Sequence, residues 1–152
     1  MKKFAFKLDS LLKLRMNQRD QCQRLLADVI RRDDELVLKR SETEKDRRTQ
    51  IDELRSLGSA GSGVNVDASV SRRSYAGQLT GHIGTIEAER KALRRQIDSC
   101  RQALIRADQA VKSLEKLAEN QRSEFVFTQQ SVEARELEQT WQAVRAGEQL
   151  RS

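Results

Sequence analysis

The sequence contains no proline and only six aromatic residues among its 152 residues. It therefore lacks the residue that breaks helices and most of the bulk from which compact cores are built. Apolar residues make up 37% of the chain and charged residues 34%. A long helix buries only one stripe of its surface and tolerates this balance, whereas a globular domain of this size needs more core-forming residues. The composition favours one extended helical module, and the regular spacing of the apolar residues excludes a fully disordered chain.

Residues that carry catalytic or metal-binding chemistry are also scarce in the sequence. Histidine occurs once, as His82, and the cysteines Cys22 and Cys100 belong to no metal-ligand spacing. The sequence has no glycine-rich phosphate loop and no nucleophile elbow. Its acidic residues fall on highly charged predicted helix faces, and a two-helix module offers no cleft for paired carboxylates. We therefore expect no enzymatic activity, no metal site and no cofactor.

Long apolar runs are missing as well. No stretch approaches the ~18 apolar residues of a transmembrane helix. Lys7 and Asp9 interrupt the apolar start of the chain before a signal peptide can form. The sequence predicts a cytoplasmic protein with reduced thiols, in which Cys22 and Cys100 act as small seam residues.

The clearest positive signal is an apolar repeat in the second half of the chain. Steps of alternately four and three residues from Leu79 to Val132 visit sixteen positions, and thirteen of them are apolar. A period of 3.5 residues held over about eight heptads predicts a left-handed coiled coil. A helix of this extent is on the order of 80 Å long.

The first half carries a weaker copy of the same repeat. It starts at Leu8, fades over residues 39–50, where no side chain is apolar, and returns at Ile51. We predict helix one over residues 8–57, a glycine-rich turn over 58–66 and helix two over 67–146.

A turn this short between two apolar-striped helices predicts an all-α fold, namely a long antiparallel two-helix coiled-coil hairpin. The seam between the helices is predicted to contain fifteen residues. They are Leu8, Leu12, Cys22, Leu26, Val29, Leu36, Leu79, Ile83, Ile86, Leu93, Ile97, Cys100, Leu104, Val111 and Leu114.

The predicted lengths of the two helices leave an overhanging C-terminal helix. If the turn is placed as above, Leu8 lies opposite a residue near 117, and everything after about 118 lacks a partner in the same chain. Burying a large apolar side chain is worth ~1.5–3 kcal/mol, so we expect another protein to cover this segment. Its large apolar residues are Phe125, Val126, Phe127, Val132, Leu137, Trp141 and Val144.

The net charge of +6 resides in the N-terminal arm. Residues 1–32 hold nine basic and three acidic residues, and the remainder of the chain is neutral. Such an arm favours an anionic partner. Its arginines point around the predicted helix with Asp20 and Asp28 between them, so neither nucleic acid nor a membrane surface is the expected partner.

The opening residues carry a more specific signal. Residues 3–15 read KFAFKLDSLLKLR. This stretch resembles the start of the FliJ family of flagellar export proteins, with the pattern K-F-x-F-x-L-x-x-L-L-x-L-R. Residues 64–67, Tyr75, the heptads from Leu79 and the charged helix 114–138 are also similar to that family. The glycine-rich turn, three glycines early in helix two and Trp141 depart from it, which leaves the geometry of the loop end open.

The resemblance implies a non-enzymatic component of the flagellar type III protein export apparatus, similar in shape to the central stalk of rotary ATPases. The partners that it implies are the export ATPase FliI, its regulator FliH, the export gate FlhA and export chaperones. The implied location is cytoplasmic and peripheral at the inner-membrane export apparatus, with membrane association only through the gate. The free protein is expected to be a monomeric hairpin.

The resemblance, together with the unpaired ends of the predicted hairpin, also suggests where these partners bind. Tyr75 and Leu79, near the loop, are candidates for the gate contact. The residues expected to contact the ATPase are Phe4, Phe6, Leu11, Leu14, Arg15, Phe125, Phe127, Leu137 and Trp141. Ordinary packing between the ends of the chain is the alternative role for each of these residues.

Three alternatives remain open from the sequence. The first is the equivalent stalk of a virulence-type secretion system, whose heptads look the same. The second is a structural homodimer, including a domain-swapped one, in which long helices pair between chains. The third is a nucleic-acid-binding coiled coil, which would show strongly salt-dependent binding.

Overall fold

The computed structural model of the chain describes residues 2–59 and 66–151. Two helices account for nearly all of these residues: α1 spans Asp9–Ser59 and α2 spans Val66–Arg151. The described residues contain no strand, and the two long helices pack against each other. The prediction of an all-α helical hairpin is therefore confirmed. Most of the predicted turn, residues 60–65, lies outside the described residues.

Both helices differ slightly from their predicted bounds. The hydrogen bond from the Leu12 amide to the Leu8 carbonyl, at 2.9 Å, joins the first turn of α1 to the preceding residue. Asp9 places a carboxylate at this positive helix end and pairs with Lys13 at 3.2 Å. At its C-terminal end α2 continues beyond residue 146 to Arg151, through Gly147, because no proline is present to stop it.

The described residues form two compact units, of which one consists of residues 20–105. In this unit α1 and α2 run antiparallel, because residues later in α1 contact residues earlier in α2. Arg40 pairs with Glu87 at 2.7 Å, and farther along α1 Glu53 pairs with Arg72. The buried apolar side chains of this unit are Val29, Leu79, Ile86 and Ile97.

Residues 39–50, which contain no apolar side chain, contact α2 through polar side chains. The Arg47 guanidinium donates to Glu44 at 3.0 Å and reaches the hydroxyl of Thr80 on α2 at 3.5 Å. Together with the Arg40–Glu87 pair, this contact joins the two helices where the apolar repeat fades. Exposed contacts of this kind stabilise little individually, so this part of the seam depends on its apolar neighbours.

The other unit consists of residues 2–19 and 106–151. Its most buried side chain is Val111, and Leu12 and Leu114 are half-buried. Taken over both units, every predicted seam residue is buried or half-buried except Leu8, which immediately precedes α1 and is partly exposed. Neither described helix is long and apolar enough to cross a bilayer.

Candidate protein-binding surface

The N-terminal segment, residues 2–7, packs against α2 and is called the strap below; its last residue, Lys7, begins the turn that leads into α1. Residues 2–6 have no helical structure. Phe4 and Phe6 are half-buried, whereas Lys3, Ala5 and Lys7 are exposed. Alternation of this kind is what an extended backbone produces, because successive side chains point to opposite sides. The two phenyl rings therefore face the rest of the unit, and the lysines face solvent.

The strap is attached to α2 through an aromatic pair. The rings of Phe4 and Phe125 have centroids 5.7 Å apart and planes tilted by 47°. Aromatic pairs of this geometry add about 0.5–1.5 kcal/mol to the burial of their surface. A cleft of about 290 Å³ beside Phe4 is lined by Leu12 and Ala118, among others. The strap therefore packs on α2 without filling all the space beside it.

The strap changes the expected extent of the unpaired part of α2. An extended chain advances ~3.3 Å per residue and a helix ~1.5 Å, so the five residues 2–6 can cover about eleven residues of helix. Coverage can therefore extend about eleven residues beyond position 118. Phe125 and Gln129 are half-buried, and Ser131 is the last half-buried residue of the described chain. The prediction that everything after about 118 lacks a partner was wrong, because it treated residues 2–7 as contributing nothing.

Beyond Ser131 every described residue is exposed. This segment, residues 132–151, is called the tail below. Large apolar side chains protrude from it: Leu137 is 65% exposed, and Trp141 and Val144 are also exposed. Together with Phe127, which is 71% exposed, they follow the 3.5-residue spacing of a coiled-coil seam. The tail and Phe127 thus present an apolar stripe with no partner among the described residues.

The predicted ATPase-contact residues all belong to the unit formed by residues 2–19 and 106–151, but they differ from one another in exposure. Phe4 and Phe125 contact each other, and Phe6 and Leu11 are half-buried. By contrast, Leu14 and Arg15 on the first turns of α1 are exposed. The most accessible large candidates are Phe127, Leu137 and Trp141.

The two predicted gate-contact residues differ sharply in exposure. The ring of Tyr75 is exposed, whereas Leu79 is buried in the seam of the unit formed by residues 20–105. A buried leucine has no surface to offer a partner, so Leu79 is a packing residue. Of the pair, only Tyr75 is available for a contact.

Sequence reasoning missed several exposed apolar residues. Leu25 and Leu38 are exposed on α1, and Leu150 protrudes near the end of α2. The exposure of Leu25 and Leu38 could have been predicted from the sequence, because both lie outside the heptad positions that define the seam. Leu150 was missed because helix two was predicted to end at residue 146, whereas α2 continues to Arg151.

The described residues contain no group of three or more histidine, cysteine, aspartate or glutamate residues placed to hold a metal ion. Cys22 and Cys100 are half-buried free thiols. The surface formed by the tail and Phe127 offers apolar contacts flanked by charged side chains, which suits binding to a protein.

Comparison with known families identifies the chain. The family model described as Flagellar FliJ protein matches residues 4–141, from the first phenylalanine of the strap to Trp141 in the tail. The chain belongs to the FliJ family. FliJ proteins are non-enzymatic components of the flagellar export apparatus, and this chain shares that role. No curated protein and no solved structure matches the chain.

Proposed function

We propose that this FliJ protein is a stalk-like coiled coil that binds the ring of the export ATPase FliI and promotes its assembly or activity. The observation that carries the proposal is the apolar stripe of Phe127, Leu137, Trp141 and Val144, which is exposed on α2. A stripe with seam spacing and no partner within residues 2–59 and 66–151 is suited to a groove or a ring of helices in another protein.

The rest of the same unit supports this assignment. Leu14 and Arg15 are exposed on the first turns of α1, and the strap adds Lys2, Lys3 and Lys7, which are also exposed. Apolar residues with basic neighbours suit a partner surface that is apolar and ringed by acidic groups. We propose two further partners for this unit: the regulator FliH, which binds the same ATPase, and export chaperones.

The second part of the proposal concerns the export gate. Tyr75 is an exposed aromatic residue on α2 in the unit of residues 20–105. Exposed tyrosines are frequent anchors of protein interfaces because they combine apolar area with a hydroxyl group. We propose that Tyr75 contacts the gate protein FlhA, which places the chain in the cytoplasm and peripherally at the inner membrane.

The test of the ATPase contact uses two leucines of equal exposure. Leu137 in the tail and Leu38 on α1 are each 65% exposed, so replacing either by serine removes the same exposed group. With the purified cognate ATPase, we expect Leu137→Ser to weaken binding several-fold, whereas the matched Leu38→Ser does not; adding Trp141→Ser to Leu137→Ser should bring the loss to at least tenfold, as interface aromatic residues commonly do. Leu38→Ser should bind as the parent does. Ring formation and ATP hydrolysis are measured alongside binding.

Two results would count against this proposal. If the parent protein neither binds the ATPase nor changes its hydrolysis rate at any ratio, the proposed function fails as a whole. If the parent binds and the tail variant binds equally well, the function stands and the tail is not the contact. Circular dichroism of each variant verifies that helix content is unchanged.

A further inference from the structure

Four charged residues form a connected chain across the seam of the unit formed by residues 20–105. The Arg90 guanidinium on α2 donates to the Asp33 carboxylate on α1 at 3.0 Å. Arg90 also lies 3.8 Å from Glu87, whose carboxylate pairs with Arg40 on α1 at 2.7 Å. We call these four residues the ionic layer. The chain of contacts crosses from one helix to the other twice.

The central pair of the ionic layer lies inside the seam. The side chains of Asp33 and Arg90 are only 17% and 15% exposed. Both occupy positions of the 3.5-residue repeat that are otherwise apolar, between Val29 and Leu36 on α1 and between Ile86 and Leu93 on α2. The hydrogen bond to Asp33 and the neighbouring carboxylates raise the pKa of Arg90, so the Arg90 guanidinium stays positively charged.

The apolar layers around this pair do not distinguish one alignment of the helices from another. Leucine, isoleucine and valine flank the pair on both stripes, at Val29 and Leu36 and at Ile86 and Leu93, and such residues pack similarly after a shift of one heptad. Only a residue that demands a particular partner can discriminate between alignments. A single polar residue at a seam position is known to set register in coiled coils in this way.

Shifting α1 against α2 by one heptad breaks the ionic layer in both directions. In one direction Arg90 moves opposite Arg40, and Asp33 moves opposite Ile97. In the other direction Arg90 moves opposite Leu26, and Asp33 moves opposite Ile83. Each shift leaves a shielded charge without a partner, and the first also places two cations together. Both are costly because a charge taken out of water must be paired.

We propose that the ionic layer is a register lock: the Asp33–Arg90 pair, extended by Glu87 and Arg40, fixes which residues of α1 face which residues of α2. The lock contributes specificity rather than net stability. Replacing a shielded ion pair with apolar residues often leaves stability unchanged or raises it. Removing the lock should therefore leave a folded hairpin with more than one alignment.

The test measures alignment directly with two spin labels. Lys45 on α1 and Arg101 on α2 are exposed and lie well apart along the helices. Each is replaced by cysteine and labelled, in a full-length chain in which Cys22→Ser and Cys100→Ser remove the native thiols. A shift of one heptad moves the two labels relative to each other by about 10 Å along the helices. Double electron–electron resonance spectroscopy measures the distance between the two labels and resolves a change of this size.

The decisive variant is Asp33→Leu combined with Arg90→Leu. We expect the parent to give one distance population, and the variant to give a second population displaced by about 10 Å along the seam. The matched control replaces an exposed pair of the same residue types, Asp28→Leu with Arg31→Leu, whose side chains lie 3.4 Å apart within α1. The control should keep the single parent population. If the decisive variant also keeps it, the register lock is refuted.

A second pair of variants decides the question if the double leucine variant fails to fold. Asp33→Arg alone faces Arg90 with a like charge and should lose the parent distance. Adding Arg90→Asp reverses the pair, restores opposite charges and should recover the parent distance. Identical distance distributions for these two variants would overturn the proposal, because they would show that charge at these positions does not select the alignment.

Discussion

Valine occupies two opposite environments in the unit formed by residues 2–19 and 106–151. Val111 is 1% exposed in the seam, and Val144 is 51% exposed in the tail. Truncating a fully buried aliphatic side chain removes its transfer free energy and leaves a cavity. We expect Val111→Ala to lower the free energy of unfolding by about 1–3 kcal/mol, and Val144→Ala to change it by less than about 0.5 kcal/mol. Urea unfolding followed by circular dichroism measures both, and equal effects would contradict the assigned burial.

Neighbouring phenylalanines on α2 offer a second matched comparison. Phe125 packs against Phe4 of the strap, whereas Phe127 is 71% exposed. We expect Phe125→Ala to release the strap, because the strap packs on α2 through its phenyl rings. Chymotrypsin should then cleave after Phe4 or Phe6 several-fold faster than in the parent. Phe127→Ala should leave the cleavage rate unchanged, and acceleration by both variants alike would show that Phe125 does not hold the strap.

At the scale of the helices, the apolar repeat predicted the pairing of α1 with α2 because burial of large aliphatic residues decides it. Packing between the ends of the chain was left open for Phe4 and Phe6, but the extent to which the strap covers α2 was not predicted. The length of α2 that the strap covers depends on the difference in rise per residue between an extended chain and a helix. The apolar repeat carries no information about that difference. The Arg40–Glu87 pair escaped prediction for a related reason, since partners on different helices have no fixed separation in sequence.

The start of α2 contains three glycines that the helix does not need. Gly77, Gly81 and Gly84 lie within α2, and a methyl group added at any of them would meet nothing within 4 Å apart from its chain neighbours and the adjacent backbone of α2. Each glycine in a helix interior costs about 0.8–1.0 kcal/mol relative to alanine. Replacing all three by alanine should therefore raise the free energy of unfolding by about 2–3 kcal/mol without a change in urea m-value. A loss of stability would indicate that these positions need glycine for a close approach that the structure does not contain.

Gly147 provides the control for that prediction. It also lies in α2 with open space around it, but in the exposed tail. Gly147→Ala should increase local helix content and leave the unfolding midpoint of the parent unchanged, because residues 132–151 contribute no buried contact to the seam. An equal gain from Gly147→Ala would show that the tail unfolds together with the seam.

For the whole molecule, the exposed tail raises the question of whether two copies associate through it. In each of the two units the apolar seam residues of α1 pack against those of α2 in the same chain, so no long seam is left for a second copy. The unpartnered stripe, from Phe127 to Val144, spans about two and a half heptads, which is shorter than the three to four expected of a stable coiled coil. We therefore expect sedimentation equilibrium to give the monomer mass of 17.4 kDa at micromolar concentration. Any weak association at higher concentration should disappear with Leu137→Ser and Trp141→Ser. A dimer mass that persists at the lowest concentration and survives both substitutions would instead indicate a domain-swapped dimer, whose helices pair between chains and whose tails are not the contact.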